Sequence, residues 1–226
     1  MSYKIEQRVD YILDACRGKQ VLHLGCADTP YTQLRLNDGT LLYTMIEDVA
    51  EAQYGVDLSA EGIEFLKRRG YRNLAVADVE QLSTENPFGQ VDFDVIVAGE
   101  IIEHLSNPGL FLDSLKRLLR KPSAKLVLTT INAYCAYRFC YSLLMREESV
   151  HPDHVTYFSR KTLTRMLAMH GYEVEDFSFY PIGREHEQYI NKGRTKLLWL
   201  VDRLAYKFSP LLADGVMVTC SLRGER

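Results

Sequence analysis

The chain has no CxxC pair, no apolar run long enough to span a bilayer, no low-complexity tract and no internal repeat. Each absence removes a class of protein. Its five cysteines, Cys16, Cys26, Cys135, Cys140 and Cys220, are odd in number and sit mostly in apolar surroundings. That usage fits reduced thiols in a cytoplasm and argues against a disulfide framework or a structural zinc cluster. The longest apolar stretch near the C-terminus, Leu197 to Val201, is far too short for a membrane span, and the charged, amphipathic start is unlike a secretory leader. With 27 basic and 30 acidic residues the formal net charge is -3, so no global basic field is present to hold nucleic acid. What is there is 226 residues, 46% hydrophobic and 25% charged, enough for one soluble globular domain over residues 1–226 with a full core.

Strand-like and helix-like segments alternate, the pattern of a parallel sheet flanked by helices on both faces. Strands are expected at Val21 to Leu24, Tyr54 to Leu58, Leu74 to Ala77, Phe93 to Gly99, Lys125 to Thr130, Tyr172 to Phe179 and Val216 to Leu222. An opening helix places Ile5, Val9, Ile12, Leu13 and Cys16 on one face and stops at Gly18. Ser59 caps a helix with Glu61 early, Lys67, Arg68 and Arg69 late, and Gly70 at its end; Ser159 caps another with Leu163, Met166 and Leu167 inward.

The segment Phe93 to Pro108, FDVIVAGEIIEHLSNP, concentrates the chemistry. A nearly continuous apolar run reads as a strand covered on both faces, and Asn107 with Pro108 as the N-cap and first residue of a helix. Between them lie Glu100, Glu103 and His104, at the carboxyl edge where open α/β sheets bind ligands. Acidic residues, Asp57 and Asp78, also close the second and third strands, and a glycine turn at Gly25 closes the first. Taken together, those groups suit one nucleoside-like ligand: Gly25 for close backbone approach, Asp57 for ribose hydroxyls and Asp78 for an adenine amino group. A nicotinamide dehydrogenase fits less well, because GCADTP lacks two of the three glycines of its fingerprint and Asp57 lies 32 residues beyond Gly25.

In these stretches the chain resembles the class I S-adenosylmethionine-dependent methyltransferases, especially a small-molecule and sugar-acting group with an EHL or EHV motif. VLHLGCADTP resembles that family's glycine loop, YGVDLS its ribose-binding strand, AVADVEQL its adenine-contacting turn and FDVIVAGEIIEHLSNPGLFL its fourth strand and helix. The resemblance implies a Rossmann-like seven-stranded, mostly parallel sheet with the last strand antiparallel, and S-adenosyl-L-methionine as cofactor. By position it implies Gly25, Cys26 and Ala27 along the methionine and ribose portion, Asp57 at the ribose, Asp78 and Val79 at the adenine, and Gly99 and Glu100 at the methionine end. Where the family commonly has GxGxG, this chain has Gly25, Ala27 and Thr29. Ala27 is compatible with close backbone approach if its φ stays negative.

Methyl transfer to a hydroxyl or amine needs alignment and a base, and histidine suits the second task near neutral pH. His104 in the EHL motif and His151 and His154 in HPDH are the candidates; a structural role for each stays open. HPDH also has the spacing of a metal pair, but Pro152 opposes a helical register and no third ligand is evident, so no metal is expected. His23 reads as core, His170 and His186 as helix-end and surface residues.

Two insertions, at about 131–158 and 181–215, are expected to form a substrate lid. In the first, Tyr134, Tyr137, Tyr141 and Leu144 fall at helical spacing, fitting either a pocket roof or an ordinary helix covering the sheet, with Phe139, Cys140 and Leu143 packing elsewhere. The second carries a basic amphipathic helix suited to a lid, a homodimer contact or a peripheral membrane contact. The expected activity is methyl transfer to oxygen or nitrogen of a small molecule, a sugar or glycan precursor before others. A protein or RNA methyltransferase and an inactive S-adenosylmethionine-binding regulator are the alternatives.

Overall fold

The computed structural model describes residues 4–84, 86–181 and 194–224, with 194–198 described by backbone alone. Its strands are β1 (Lys4–Ile5), β2 (Gln20–Leu24), β3 (Ala52–Asp57), β4 (Leu74–Val76), β5 (Val95–Gly99), β6 (Lys125–Ile131), β7 (Tyr172–Tyr180) and β8 (Gly215–Leu222). They form one sheet in the order β1-β7-β8-β6-β5-β2-β3-β4. Only β8 runs against the rest, antiparallel to both β6 and β7. The seven expected strands are present and the last is antiparallel. The eighth, β1, corrects the count: Ile5, expected on the face of the first helix, pairs instead with Phe179. Two residues are too few to carry a periodic signal.

The helices are α1 (Arg8–Cys16), α2 (Thr32–Asn37), α3 (Leu42–Glu47), α4 (Ala60–Arg68), α5 (Pro108–Leu115), α6 (Ala136–Met145), α7 (Arg160–Met169) and α8 (Arg194–Phe208). Strand alternation decides what each layer touches. Leu22, Leu24, Ile96, Ala98, Leu126 and Leu128 pack with Phe111, Leu112 and Leu115 of α5 and Leu163 and Leu167 of α7. Val21, Val95, Val97 and Val127 point the other way, toward Ile12 and Cys16 of α1 and Ile46 of α3. The apolar runs are therefore continuous because both faces are covered.

Local chemistry sets the helix starts. The side chains of Ser59, Asn107 and Ser159 accept from the backbone N–H of Gly62, Leu110 and Thr162 respectively. The Asn107 amide donates to Glu80 Oε1 at 2.7 Å, tying the turn after β4 to the start of α5.

The aromatic residues of the first insertion divide between the cavity and solvent. Of its named residues Tyr137 lines the central cavity, whereas Tyr134 and Leu144 are exposed, and so are Phe139 and Leu143. In α8, Leu204 and Phe208 face solvent beside exposed Arg203 and Lys207, while Asp202 turns inward. His186 lies outside the described residues, as does the first part of the second insertion. No helix among the described residues is long and apolar enough to cross a membrane.

Candidate active site

Register places the site. Leu24 pairs with Val56 on one side and Ala98 on the other, so Gly25, Asp57 and Gly99 leave the sheet at one level. This is also where strand order reverses, β2 leading one way to β3 and β4 and the other way to β5 and β6. Such a switch point is the standard ligand crevice of a doubly wound sheet.

The loop after β2 turns on Gly25, whose φ of 70° an L side chain rarely adopts and where a β-carbon would come within 3.2 Å of Ile101. Its second left-handed residue is Asp28, with φ of 53°, not Ala27. Ala27 is fully buried and its amide donates to Asp57 Oδ2 at 2.9 Å. The other Asp57 oxygen accepts from the Ser59 amide at 2.9 Å. One carboxylate thus fastens the glycine loop to the start of α4, and each oxygen retains a further lone pair for a ligand. Asp78 likewise closes its own turn, accepting from the Glu80 amide and Gln81 Nε2, both at 2.9 Å.

Glu100 follows β5 in a left-handed conformation, φ 52°, a backbone state that persists where the surroundings hold it. Tyr180 donates its hydroxyl to Glu100 Oε1 at 2.8 Å, and Arg8 Nη1 lies 3.7 Å from Oε2. Burial, and then the nearby Glu100 charge, push the Tyr180 hydroxyl well above its usual range.

His104 closes a 3-10 turn at Ile102–His104, and HPDH folds onto it. Ring centroids of His104 and His154 are 4.5 Å apart, those of His104 and His151 5.7 Å, and those of His151 and His154 5.3 Å. The sequence separates His104 from the other two, yet the fold makes one cluster of them. Desolvation lowers the pKa of His104, and desolvation followed by the neighbouring His104 and His151 rings lowers that of His154 to about 4. Glu103, fully buried, is raised to about 8, first by desolvation and then by Glu100.

Most of these groups open on one cavity of about 1150 Å³. Gly25, Cys26, Asp57, Asp78, Val79, Gly99 and Glu100 line it together with His104, His151 and His154. Ala27 does not line it; this residue faces away and contributes through its backbone. Sequence reasoning missed Arg8 from α1, Leu58 beside Asp57, and Arg138 from α6, all of which line the same cavity. Arg138 pairs with Asp214 at 3.0 Å; desolvation is the largest single influence and opposes its charge, but Asp214 together with Cys135, Tyr180 and Tyr157 raises its pKa above the usual range. Only the adjacency of Leu58 to Asp57 offered a signal; Arg8 and Arg138 look in sequence like ordinary helix-surface cations.

A doubly wound sheet with one antiparallel strand and a cavity over its switch point defines a Rossmann-like binder of a nucleoside-type cofactor. A family model described as a methyltransferase domain matches residues 1–176, and the chain belongs to that family. It is an S-adenosylmethionine-dependent methyltransferase, and S-adenosyl-L-methionine is its cofactor. A ubiquinone biosynthesis O-methyltransferase of Xanthomonas oryzae is 26% identical over 216 residues, which cover 90% of this chain and 82% of that protein. A probable S-adenosylmethionine-dependent methyltransferase of Mycolicibacterium smegmatis is 28% identical over 162 residues, covering 71% of this chain but 54% of that protein. Among solved structures, a SAM dependent methyltransferase from Archaeoglobus fulgidus shares the fold with a TM-score of 0.58 at 16% identity, covering 94% of this chain and 90% of that one. The residues present suit the cofactor: a left-handed glycine where backbone meets ligand, then carboxylates at two successive strand ends.

Proposed function

We propose that the protein methylates an oxygen, or a nitrogen, of a small-molecule acceptor, a sugar or glycan precursor before others. The observation that carries this reading is one cavity of about 1150 Å³ lined at once by Asp57, Asp78, Gly99 and the three histidines, with room for donor and acceptor together. S-adenosyl-L-methionine supplies a methyl group already activated on a sulfonium, which leaves the protein to align the partners, exclude water and let the acceptor lose a proton.

Each task has residues to perform it. Gly25, Cys26 and the Ala27 backbone hold the methionine and ribose portion, and Asp57 receives the ribose on the lone pairs its two backbone bonds leave free. Asp78 and Val79 receive the adenine, while Gly99 and Glu100 border the methionine end. The acceptor enters beside Tyr137 and Arg138, an aromatic face and a multiple hydrogen-bond donor that suit a hydroxylated ring. His104, His151 and His154 stand where its proton must leave.

Calorimetry with S-adenosylmethionine and S-adenosylhomocysteine tests the donor half, with Asp57→Ala as control; absence of binding by folded protein overturns it. Release of S-adenosylhomocysteine against a panel of sugars, phenols, amines, peptides and RNA tests the acceptor half. Phenols belong in that panel because the Xanthomonas relative is named for O-methylation in ubiquinone biosynthesis. Turnover only with peptide or RNA overturns the small-molecule assignment.

A further inference from the structure

The histidine cluster has the dimensions of a metal site. One ring nitrogen from each of His104, His151 and His154 lies within 4.8 Å of those of the other two. Three imidazoles on one tetrahedral ion at about 2.1 Å place their ring centres roughly 5 Å apart. The observed separations of 4.5, 5.3 and 5.7 Å bracket that value. Two of the three residues are exposed, so small side-chain rotations suffice to bring the nitrogens to the roughly 3.4 Å spacing of such a site.

The cluster is also built by the backbone beneath it. The Glu103 carbonyl accepts from the Val155 amide at 2.9 Å and the Thr156 amide at 3.2 Å, which clamps the HPDH loop onto the turn carrying His104. Within that loop the His154 amide donates to the His151 carbonyl at 3.0 Å. His104 is hydrogen-bonded to the Asp153 backbone, the kind of outer-sphere contact that fixes a ligating ring and leaves its other nitrogen for an ion. His154 Nδ1 is buried with no hydrogen-bond partner among the described residues. Glu103 borders the same cavity, fully buried, with the Thr130 side chain and the Ile131 backbone acting as donors toward its carboxylate.

We propose that His104, His151 and His154 bind one divalent transition-metal ion of the zinc class, its fourth position open to the acceptor end of the cavity. An all-imidazole donor set selects zinc-like ions over magnesium or calcium, which prefer oxygen ligands. The sequence suggested no third ligand for HPDH; His104 supplies it, and Pro152 does not interfere because the two HPDH rings converge from a loop and not from a helix. Binding of the ion stands by itself, whereas its role rests on the methyl-transfer reading. An acceptor hydroxyl on the open position loses its proton to water more readily, so the three rings act as ligands and not as the proton's destination.

The test uses the full-length chain, stripped of metal and titrated with Zn²⁺ against a chromophoric chelator, with Co²⁺ as the spectroscopic probe. The expected result is one ion per chain and the intense visible bands of tetrahedral cobalt. His104→Ala and His154→Ala should each weaken Zn²⁺ binding by more than the roughly tenfold to hundredfold cost of losing an outer-sphere partner. His170→Ala, at the end of α7 where it pairs with Asp113, should leave it unchanged. If either cavity variant fails to fold, His151→Gln in the exposed loop carries the same comparison. Absence of stoichiometric binding, or affinity indifferent to the three cavity substitutions, overturns the proposal. Calorimetry with S-adenosylmethionine on the same samples keeps the two readings apart. Cofactor binding without zinc defeats the metal site alone, and zinc binding without the cofactor defeats the methyl-transfer reading while the metal site stands.

Discussion

The ring of Tyr180 occupies the space that a side chain at Gly215 would need: a β-carbon there would stand 1.9 Å from Tyr180 Cζ and 2.2 Å from its oxygen. The two residues are partners in register on β7 and β8. With the ring lying over Gly215, the hydroxyl reaches Glu100 at the end of β5. A missing side chain on the antiparallel strand thereby helps set an acidic group in the cavity.

Gly215→Ala should therefore destabilise the fold by about 1–3 kcal/mol, the usual cost of forcing volume into a filled site. Tyr180→Phe, which removes the hydroxyl bond but keeps the ring, should cost about 1 kcal/mol. Urea denaturation measures both. A neutral Gly215→Ala would mean that Tyr180 does not rest where the structure puts it.

Packing beneath the glycine loop gives a second expectation. A β-carbon on Gly62 would come within 2.7 Å of the Ala27 methyl and 2.6 Å of Thr29 Oγ1. Gly62→Ala should push the loop outward and weaken S-adenosylmethionine binding about tenfold or more, tenfold being about 1.4 kcal/mol. Ala27→Gly should restore part of that loss, giving a coupling of about 0.5–3 kcal/mol in a double-mutant cycle. Additive effects, read by calorimetry, would show that the contact carries no energy.

Asp202 predicts a pH effect on stability. It is almost fully buried and its Oδ1 has no hydrogen-bond partner among the described residues. Burial, then the Asp214 charge, raise its pKa to about 7, with Arg138 and the Tyr137 backbone offsetting only part. The folded chain holds this proton more tightly than the unfolded one, whose carboxyl has a pKa of about 3.9. Between about pH 4 and pH 7 the folded state binds more protons, so stability falls as pH rises through that window. Asp202→Asn removes the titration and should gain about 1–3 kcal/mol on the wild type across it. Thermal melts at both ends of the window decide the matter; a difference that stays constant refutes the assignment.

Arg138 links that buried acid to the cavity wall. It donates to the Asp214 backbone carbonyl at 3.1 Å and pairs with the Asp214 carboxylate at 3.0 Å. Arg138→Met leaves two neighbouring acids without their cation and should destabilise by about 2–4 kcal/mol, at or just under the range for breaking a buried pair. Asp214→Asn in the same background should recover a substantial part. Equal stability of the single and double variants would place the energy in packing and not in charge.

What local sequence determined is visible in the caps and the strands. Ser59, Asn107 and Ser159 each accept from an amide three residues on, a bond decided within one turn of chain. The buried runs of β2, β5 and β6 were legible because alternation on a doubly covered strand leaves little room for polar residues. Gly25, Asp57, Asp78 and Gly99 were legible as a set because each closes a strand or follows one within two residues.

Tertiary structure decided the rest. Ala27 turns inward to Asp57, which no glycine-loop pattern reveals. Arg8 and Arg138 reach the cavity from α1 and α6, Tyr180 of β7 reaches its wall through Glu100, and nothing beside them in the chain marks that convergence. Tyr134 and Phe139 belong to one amphipathic pattern that could not separate roof from solvent-facing surface. His104 meets HPDH where the Val155 and Thr156 amides bond the Glu103 carbonyl, a contact between stretches some fifty residues apart in the chain. Hydrogen bonds and steric preferences within a turn or strand act over a few residues and are written in order along the chain. The meeting of distant side chains depends on how whole elements pack, and that free energy belongs to no local stretch of sequence.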